Sequence, residues 1–253
     1  MERGDTVLVL NALKPRSDFQ LELGFLLFIF VLKYIELYMD NYILKKYNTR
    51  DIVVFLLAVV ILVLILSAGR HYDKSYFNGR LVVAFGDSLT SGVGAPSVSE
   101  SYIAHLALSS GTTIINKGVG GNTTTKALAR LQTDVLDLEP KPEVAIVLLG
   151  GNDFFKGVPQ EKTKEDLTKI VDLIKEAGIK VILLGVSRVH FPDYENMIQA
   201  IAMKKNVSYV PAILDGIINA EELMSDLKHP NSEGYKLMAE RIEPTLERVL
   251  LGY

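Results

Sequence analysis

Hydrophobic and polar residues are distributed differently in two parts of the chain. Near the N-terminus the apolar residues form long runs, whereas from Leu81 onward short apolar runs alternate with stretches of helical periodicity. The short runs lie at residues 81–85, 113–116, 144–150, 180–186 and 207–211. Strands buried on both faces of a sheet read as continuous apolar runs, so this alternation predicts an α/β fold with a parallel sheet and helices on both faces.

The clearest helical stretch spans residues 164–178. Leu167, Ile170, Val171 and Ile174 fall on one face of a helix with 3.6 residues per turn. Gly178 is suited to end this helix, because glycine adopts the left-handed conformation of a C-terminal cap.

Two long apolar stretches precede the alternating part of the chain. Residues 52–68 contain no charge, and 17 residues at about 1.5 Å per residue make a helix of about 25 Å, near the lower limit for crossing a bilayer. No polar face interrupts this run, which favours a transmembrane helix over a buried core helix. The earlier stretch, residues 21–39, carries Lys33 and Glu36 in its second half, so it is either a second span or a helix in the membrane interface.

The loop between the two stretches predicts the orientation in the membrane. Residues 40–50 include Lys45, Lys46 and Arg50, and short loops rich in positive charge stay in the cytoplasm. With either one or two spans, the C-terminal part then lies outside the cytoplasm. We therefore expect a cell-membrane protein with an N-terminal membrane region at 1–68, a linker at 69–80 and a folded domain at 81–253.

Composition excludes several classes of function. The chain has 27 Lys and Arg residues against 30 Asp and Glu residues, and this net charge of −3 does not favour nucleic-acid binding. It contains no cysteine, which excludes disulfides, thiolate metal sites and a cysteine nucleophile. The stretch "GVGGNT" departs from the dinucleotide motif G-x-G-x-x-G at Thr123, so no nucleotide cofactor is indicated.

Small and polar residues gather at four places next to the predicted strands. "GDSLTSGVG" (86–94), "KGVGGNT" (117–123) and "GGND" (150–153) follow the first three strands, and "DLKHPN" (226–231) precedes the final helix. Ligands bind beyond the carboxyl ends of the strands in open parallel sheets. The four stretches are therefore expected to meet at one edge of the sheet.

These stretches supply the groups that acyl transfer requires. Ser88 can act as the nucleophile, His229 as the base, and Asp226 as the acid that orients the base. The N–H groups of Ser88 and Gly121 and the side-chain amide of Asn152 can stabilise an oxyanion. The alternative for each small residue is a simple turn.

Other polar residues near these stretches have simpler explanations. Asp87 is adjacent to the candidate nucleophile and is expected to shape the turn, and Asp153 is expected to form local hydrogen bonds. His71, His105 and His190 have no acid at a suitable spacing and are predicted to be surface or packed histidines.

Taken in order, "GDSL", "GVGGNT", "GGND" and "DLKHPN" resemble the SGNH (GDSL) hydrolase superfamily. The pattern is most similar to its small thioesterase I, lysophospholipase and arylesterase-like branch. The resemblance extends from Leu81 to about Leu250 and does not include the predicted membrane region.

The resemblance implies a flavodoxin-like three-layer α/β/α sandwich with about five parallel strands and no metal or cofactor. The family's serine, glycine, asparagine, histidine and partner acid correspond to Ser88, Gly121, Asn152, His229 and Asp226.

We therefore expect a membrane-anchored serine hydrolase that cleaves acyl esters or thioesters through an acyl-enzyme. The membrane anchor favours a lipid-like acyl chain, with lysophospholipids and fatty acyl thioesters among the substrates that the resemblance implies. An O-acetyl esterase acting on cell-surface glycan and a non-catalytic binding module are the alternatives. The sequence makes no prediction about oligomeric state.

Overall fold

A parallel sheet of five strands forms the centre of the structure, a computed structural model that describes residues 77–253. The strands are β1 (Leu81–Gly86), β2 (Thr113–Gly118), β3 (Val144–Leu148), β4 (Lys180–Leu184) and β5 (Ser208–Val210). Their order is β2-β1-β3-β4-β5. After β2 the chain crosses to the other side of β1, and such a reversal opens a crevice at the carboxyl end of the sheet.

Seven α-helices accompany these strands among the described residues. They are α1 (Ser88–Ser91), α2 (Tyr102–Ser110), α3 (Thr124–Leu131), α4 (Gly151–Phe155), α5 (Gln160–Glu176), α6 (Pro192–Lys205) and α7 (Ser232–Leu251). A π-helical turn at Gln132–Leu136 continues α3, and short 3₁₀ turns occur at Val98–Glu100 and Glu221–Leu223.

Alternate residues of each strand face two separate hydrophobic cores. In β1, Val82 and Ala84 contribute to a core shared with α2 and α7. Val83 and Phe85 contribute to the opposite core, shared with α3, α5 and α6. The sheet therefore lies between two helical layers, and the predicted α/β sandwich with five parallel strands is confirmed.

The strands occur where the apolar runs predicted them, with ends that differ by one or two residues. β3 ends at Leu148 rather than at residue 150, because Gly150 has a φ of 111° and leads into α4. Helix α5 begins at Gln160, four residues before the predicted start, since its first turn is polar and carries no apolar signal. It ends at Glu176, and Gly178 follows in the left-handed conformation with a φ of 78°.

The packed fold begins before the first strand. Phe77 is fully buried in the core that β1 shares with α2 and α7. Arg80 donates a hydrogen bond of 2.6 Å from Nη1 to the carbonyl oxygen of Leu250. These contacts tie the start of the described chain to its last helix.

The predicted membrane segments at 52–68 and 21–39 lie outside the described residues. Within residues 77–253, no helix is both long enough and apolar enough to cross a bilayer.

Candidate active site

Three strand ends lie level at the carboxyl edge of the sheet. Parallel pairing places Gly86 of β1 beside Gly118 of β2 and Leu148 of β3. The residues that end or follow these strands belong to the polar stretches predicted from the sequence. The register of the sheet therefore brings three of the four stretches to one place.

The turn after β1 presents Ser88. The N–H of Leu89 donates to Asp87 Oδ1 at 3.0 Å, and this cap starts helix α1. Ser88 is the first residue of that helix, so its N–H has no acceptor within the helix. The hydroxyl and the N–H of Ser88 both stand at the edge of the sheet.

His229 and Asp226 complete a chain of hydrogen bonds with Ser88. The distance between His229 Nε2 and Ser88 Oγ is 3.0 Å, and His229 Nδ1 lies 2.8 Å from Asp226 Oδ2. The serine hydroxyl can donate to Nε2 only if Nδ1 carries the imidazole proton, and this is the nitrogen that faces the carboxylate. The structure therefore places the predicted nucleophile, base and orienting acid in contact.

Asp226 is held as a charged carboxylate by its loop. Its Oδ1 accepts hydrogen bonds from the backbone N–H groups of Lys228 and His229, at 2.7 and 2.9 Å. Partial burial raises the pKa of Asp226, but the hydrogen bonds from the His229 side chain and from these N–H groups outweigh it, so the pKa lies below its usual value. The carboxylate is ionised at neutral pH and can stabilise an imidazolium.

Gly121 and Asn152 lie beside Ser88 in the same cavity. Gly121 adopts a φ of 73°, and its carbonyl oxygen accepts a hydrogen bond from Lys156 Nζ. Asn152 Nδ2 donates one hydrogen to Asp87 Oδ2 at 3.1 Å, which leaves its second hydrogen free to meet a substrate. The predicted oxyanion donors are thus gathered at one place, each held by a neighbour.

Arg130 connects the serine turn to the glycine loop. Its guanidinium donates to the carbonyl oxygens of Gly86 at 2.8 Å and Lys117 at 2.9 Å, and to Asn122 Oδ1 at 2.7 Å. Its Cζ atom also lies 4.3 Å from the centre of the Phe85 ring. The sequence does not reveal this role, because an arginine on an amphipathic helix resembles any solvated surface residue.

Asp153 anchors α4 from beneath the site. The carboxylate is fully buried and accepts hydrogen bonds from the N–H of Thr124 at 3.0 Å, from Thr124 Oγ1 at 2.6 Å and from Thr163 Oγ1 at 3.2 Å. The expected local role is therefore wrong, since both partners belong to other helices. These bonds fix the residue that follows Asn152.

Asp87 is buried against the same group of residues. It accepts from the Leu89 N–H and from Asn152, while the His229 ring is bonded to Asp226. Burial raises the pKa of Asp87 to about 6, although the Leu89 and Asn152 hydrogen bonds oppose the change. Its position supports the expectation that it shapes the turn.

The remaining histidines lie apart from this chain of bonds. His190 Nδ1 contacts Ser187 Oγ at 3.1 Å, and its Nε2 accepts from Asn219 Nδ2 at 2.8 Å. His105 lies in α2 and is partly buried. His71 lies outside the described residues.

An apolar cavity of about 520 Å³ opens beside Ser88. Its apolar lining includes Phe155, Val186, Phe191, Leu214, Ile218 and Leu227. Polar donors at one end and hydrocarbon side chains along the walls suit a ligand with a reactive carbonyl and an apolar chain.

Comparison with known proteins gives one family for most of the described chain. Residues 84–237 match the model of the GDSL-like Lipase/Acylhydrolase family. The arylesterase of Vibrio mimicus is 27% identical over 206 residues, which cover 77% of this chain and 98% of that protein. Thioesterase 1/protease 1/lysophospholipase L1 of Escherichia coli K12 is 25% identical, covering 66% of this chain and 83% of its own length. The crystal structure of TesA matches with a TM-score of 0.61 and 26% identity, over 67% of this chain and 99% of that one.

Gly94 allows close approach of the loop that carries His229. It has a φ of 98°, and an added Cβ would lie 2.5 Å from the Pro230 carbonyl oxygen and 2.8 Å from His229 Cβ. We predict that Gly94→Ala lowers kcat for p-nitrophenyl ester hydrolysis at least tenfold, because a shift of about 1 Å in a reacting group costs on this order or more. Gly79→Ala is the matched control, since Gly79 has a φ of 83° with no atom within 4 Å of the added Cβ. Equal kcat values in the two variants would contradict the prediction.

The raised pKa of Asp87 predicts a pH dependence of stability. A carboxyl group with a folded pKa of about 6 and an ordinary value of 3.8 contributes its full stability at low pH and loses it as the pH rises through 6. Relative to Asp87→Asn, we expect the unfolding free energy of the native protein to fall by about 2 kcal/mol between pH 4 and pH 8, because part of the change has already occurred below pH 4. Urea denaturation across this range measures the difference, and parallel pH profiles for the two proteins would refute it.

Proposed function

Because the chain belongs to the GDSL-like lipase/acylhydrolase family and is a serine ester hydrolase, we propose that it cleaves esters or thioesters of lipid-like acyl chains through an acyl-enzyme on Ser88. The observation that carries this proposal is the distance of 3.0 Å between Ser88 Oγ and His229 Nε2 at the polar end of an apolar cavity. The names of the relatives, arylesterase and thioesterase/lysophospholipase, support both ester and thioester substrates.

In the proposed first step, Ser88 Oγ attacks the acyl carbonyl carbon while His229 Nε2 takes the hydroxyl proton. Asp226 stabilises the resulting imidazolium through the hydrogen bond to Nδ1. The tetrahedral intermediate collapses, and the leaving alcohol or thiol departs with the proton that His229 returns. Water then attacks the acyl-enzyme with His229 as the base, which releases the carboxylic acid and restores Ser88.

The N–H groups of Ser88 and Gly121 and the Asn152 amide are proposed to bind the oxyanion. Such donors act where negative charge develops, and the removal of one costs about 3–4 kcal/mol of transition-state stabilisation. Asp87, Lys156 and Arg130 would hold these donors in place before the substrate arrives, through the contacts described above.

The acyl chain is assigned to the apolar cavity. Each methylene group removed from water contributes about 0.8 kcal/mol, so successive methylenes should raise kcat/KM until the cavity of about 520 Å³ is filled. An O-acetyl esterase has no use for this apolar volume, which favours the lipid-like substrate over acetylated glycan.

We predict that the native protein prefers medium or long acyl chains in a p-nitrophenyl ester series from acetate to palmitate.

Ser88→Ala should hydrolyse every ester at least a thousandfold more slowly and should not react with a fluorophosphonate probe, because both reactions need the serine oxygen. Ser97→Ala changes an exposed serine outside the cavity and serves as the control. A strict preference for acetate would contradict the proposed lipid-like substrate. Native rates in Ser88→Ala would contradict the assignment of Ser88 as the nucleophile.

The N-terminal region is proposed to anchor the enzyme in the cell membrane with residues 81–253 outside the cytoplasm. The support is the uncharged run at 52–68 and the positive loop that precedes it. Protease added to intact cells is expected to remove the catalytic domain, with a cytoplasmic protein as the control for intact membranes. If the domain were fully protected until the cells were lysed, the proposed orientation would be wrong.

A further inference from the structure

Exposed hydrophobic side chains lie at the mouth of the cavity and beside it. We call this set the apolar rim. It comprises Val93, Phe154, Phe155, Val189 and Leu227, which are 42%, 45%, 51%, 73% and 96% exposed. Single exposed apolar residues are normal on protein surfaces, but a group gathered around a binding cavity marks an interaction site.

Three members of the apolar rim line the cavity, and the other two are next to residues that line it. Val93, Phe155 and Leu227 all line the cavity. The Phe154 ring packs edge-on against Phe155 at 5.7 Å between centroids. Val189 directly precedes His190, which also lines the cavity.

The loop that carries His229 keeps the Leu227 side chain exposed to solvent. Leu227 lies between Asp226 and Lys228, and the backbone bonds from Lys228 and His229 to the Asp226 carboxylate fix the turn around it. A leucine that is 96% exposed contributes nothing to the core of the fold. Its apolar surface is removed from water, and contributes favourable free energy, only when another surface covers this face of the molecule.

Two cations accompany the apolar rim. Lys228 Nζ lies 4.5 Å from the centre of the Phe155 ring, and Lys156 follows Phe155 in the chain. Neither lysine forms an ion pair with a carboxylate of residues 77–253. The carboxylates nearest in the chain have other partners: Asp226 is bonded to His229, and Asp153 is bonded to threonines beneath the surface.

Apolar side chains beside lysines that have no carboxylate partner among residues 77–253 fit the surface of an anionic bilayer. Hydrocarbon side chains enter the boundary between headgroups and acyl chains, while lysines stay at the level of the phosphates. The whole chain carries a net charge of −3, so general attraction does not bring it to a negative surface. The attraction must be local, and it then fixes which face meets the lipid.

We propose that the apolar rim, with Lys156 and Lys228, docks on an anionic phospholipid surface. The docking concerns a surface and stands whether or not Ser88 is the nucleophile. Its consequence, that an acyl chain passes from lipid directly into the cavity, rests on the proposed function.

The absence of tryptophan from the chain allows a direct test of docking. Val189→Trp places a single tryptophan in the apolar rim, and Met203→Trp places one at a residue that is 76% exposed near the far end of α6. Both are made in the full chain with Ser88→Ala, held in phosphatidylcholine nanodiscs and titrated with phosphatidylglycerol vesicles that have brominated acyl chains. Circular dichroism checks that each variant is folded, and Leu227→Trp provides a second probe of the rim.

We expect emission from Val189→Trp and Leu227→Trp to shift to shorter wavelength and to be quenched, while Met203→Trp changes in neither respect. Adding Lys156→Gln and Lys228→Gln should weaken the apparent vesicle affinity about tenfold or more, because each lysine near an anionic surface contributes to binding. Equal responses of the rim and control tryptophans would overturn the proposal. No response of either would also overturn it, and this is the result expected if the rim binds a protein partner instead of lipid. Equal quenching by brominated phosphatidylcholine vesicles would overturn the anionic preference. Because Ser88 is absent from every variant, these outcomes are independent of those that test the nucleophile.

Discussion

The contact between Ser88 and His229 joins residues 141 positions apart over 3.0 Å, and the arrangement of the site depends on it. A distance of this kind requires that the turn after β1 and the loop before α7 be held independently and brought to the same height. The serine turn is fixed by the Asp87 cap. The histidine loop is fixed by an isolated bridge between Met224 and Pro230 and by the hydrogen bond from the Asn231 N–H to the Leu223 carbonyl oxygen at 2.9 Å.

Charged groups beneath the site give it rigidity. Arg130 and Asp153 are surrounded by partners on separate elements, so neither can move without breaking several hydrogen bonds. A buried polar group that loses one partner costs about 1–3 kcal/mol, which makes such networks favour a single arrangement. The donors proposed to bind the oxyanion are supported by this frame rather than by flexible loops.

Much of the fold could be predicted because its signals are local. Apolar runs such as 81–85 and 144–150 marked strands, and the residues that follow them fell at one edge because parallel strands share a direction. The positions of Arg130, Lys156 and Asp153 could not be predicted, since their partners come from other elements. Asp153 bonds to Thr124, 29 residues earlier, and nothing in the sequence around either residue announces that pair. The ends of β3 and α5 were displaced because a glycine with positive φ and a polar first turn carry no hydrophobic periodicity.

The start of the first strand and the end of the last helix lie together, as the bond from Arg80 to the Leu250 carbonyl shows, at the edge of the sheet away from the cavity. Tyr253 is exposed there. Attachment of the protein to a bead or an electrode through its C-terminal residue would therefore place the point of attachment at the end of the sheet opposite the cavity. The tether would then leave the mouth of the cavity uncovered, so that substrate could still enter it.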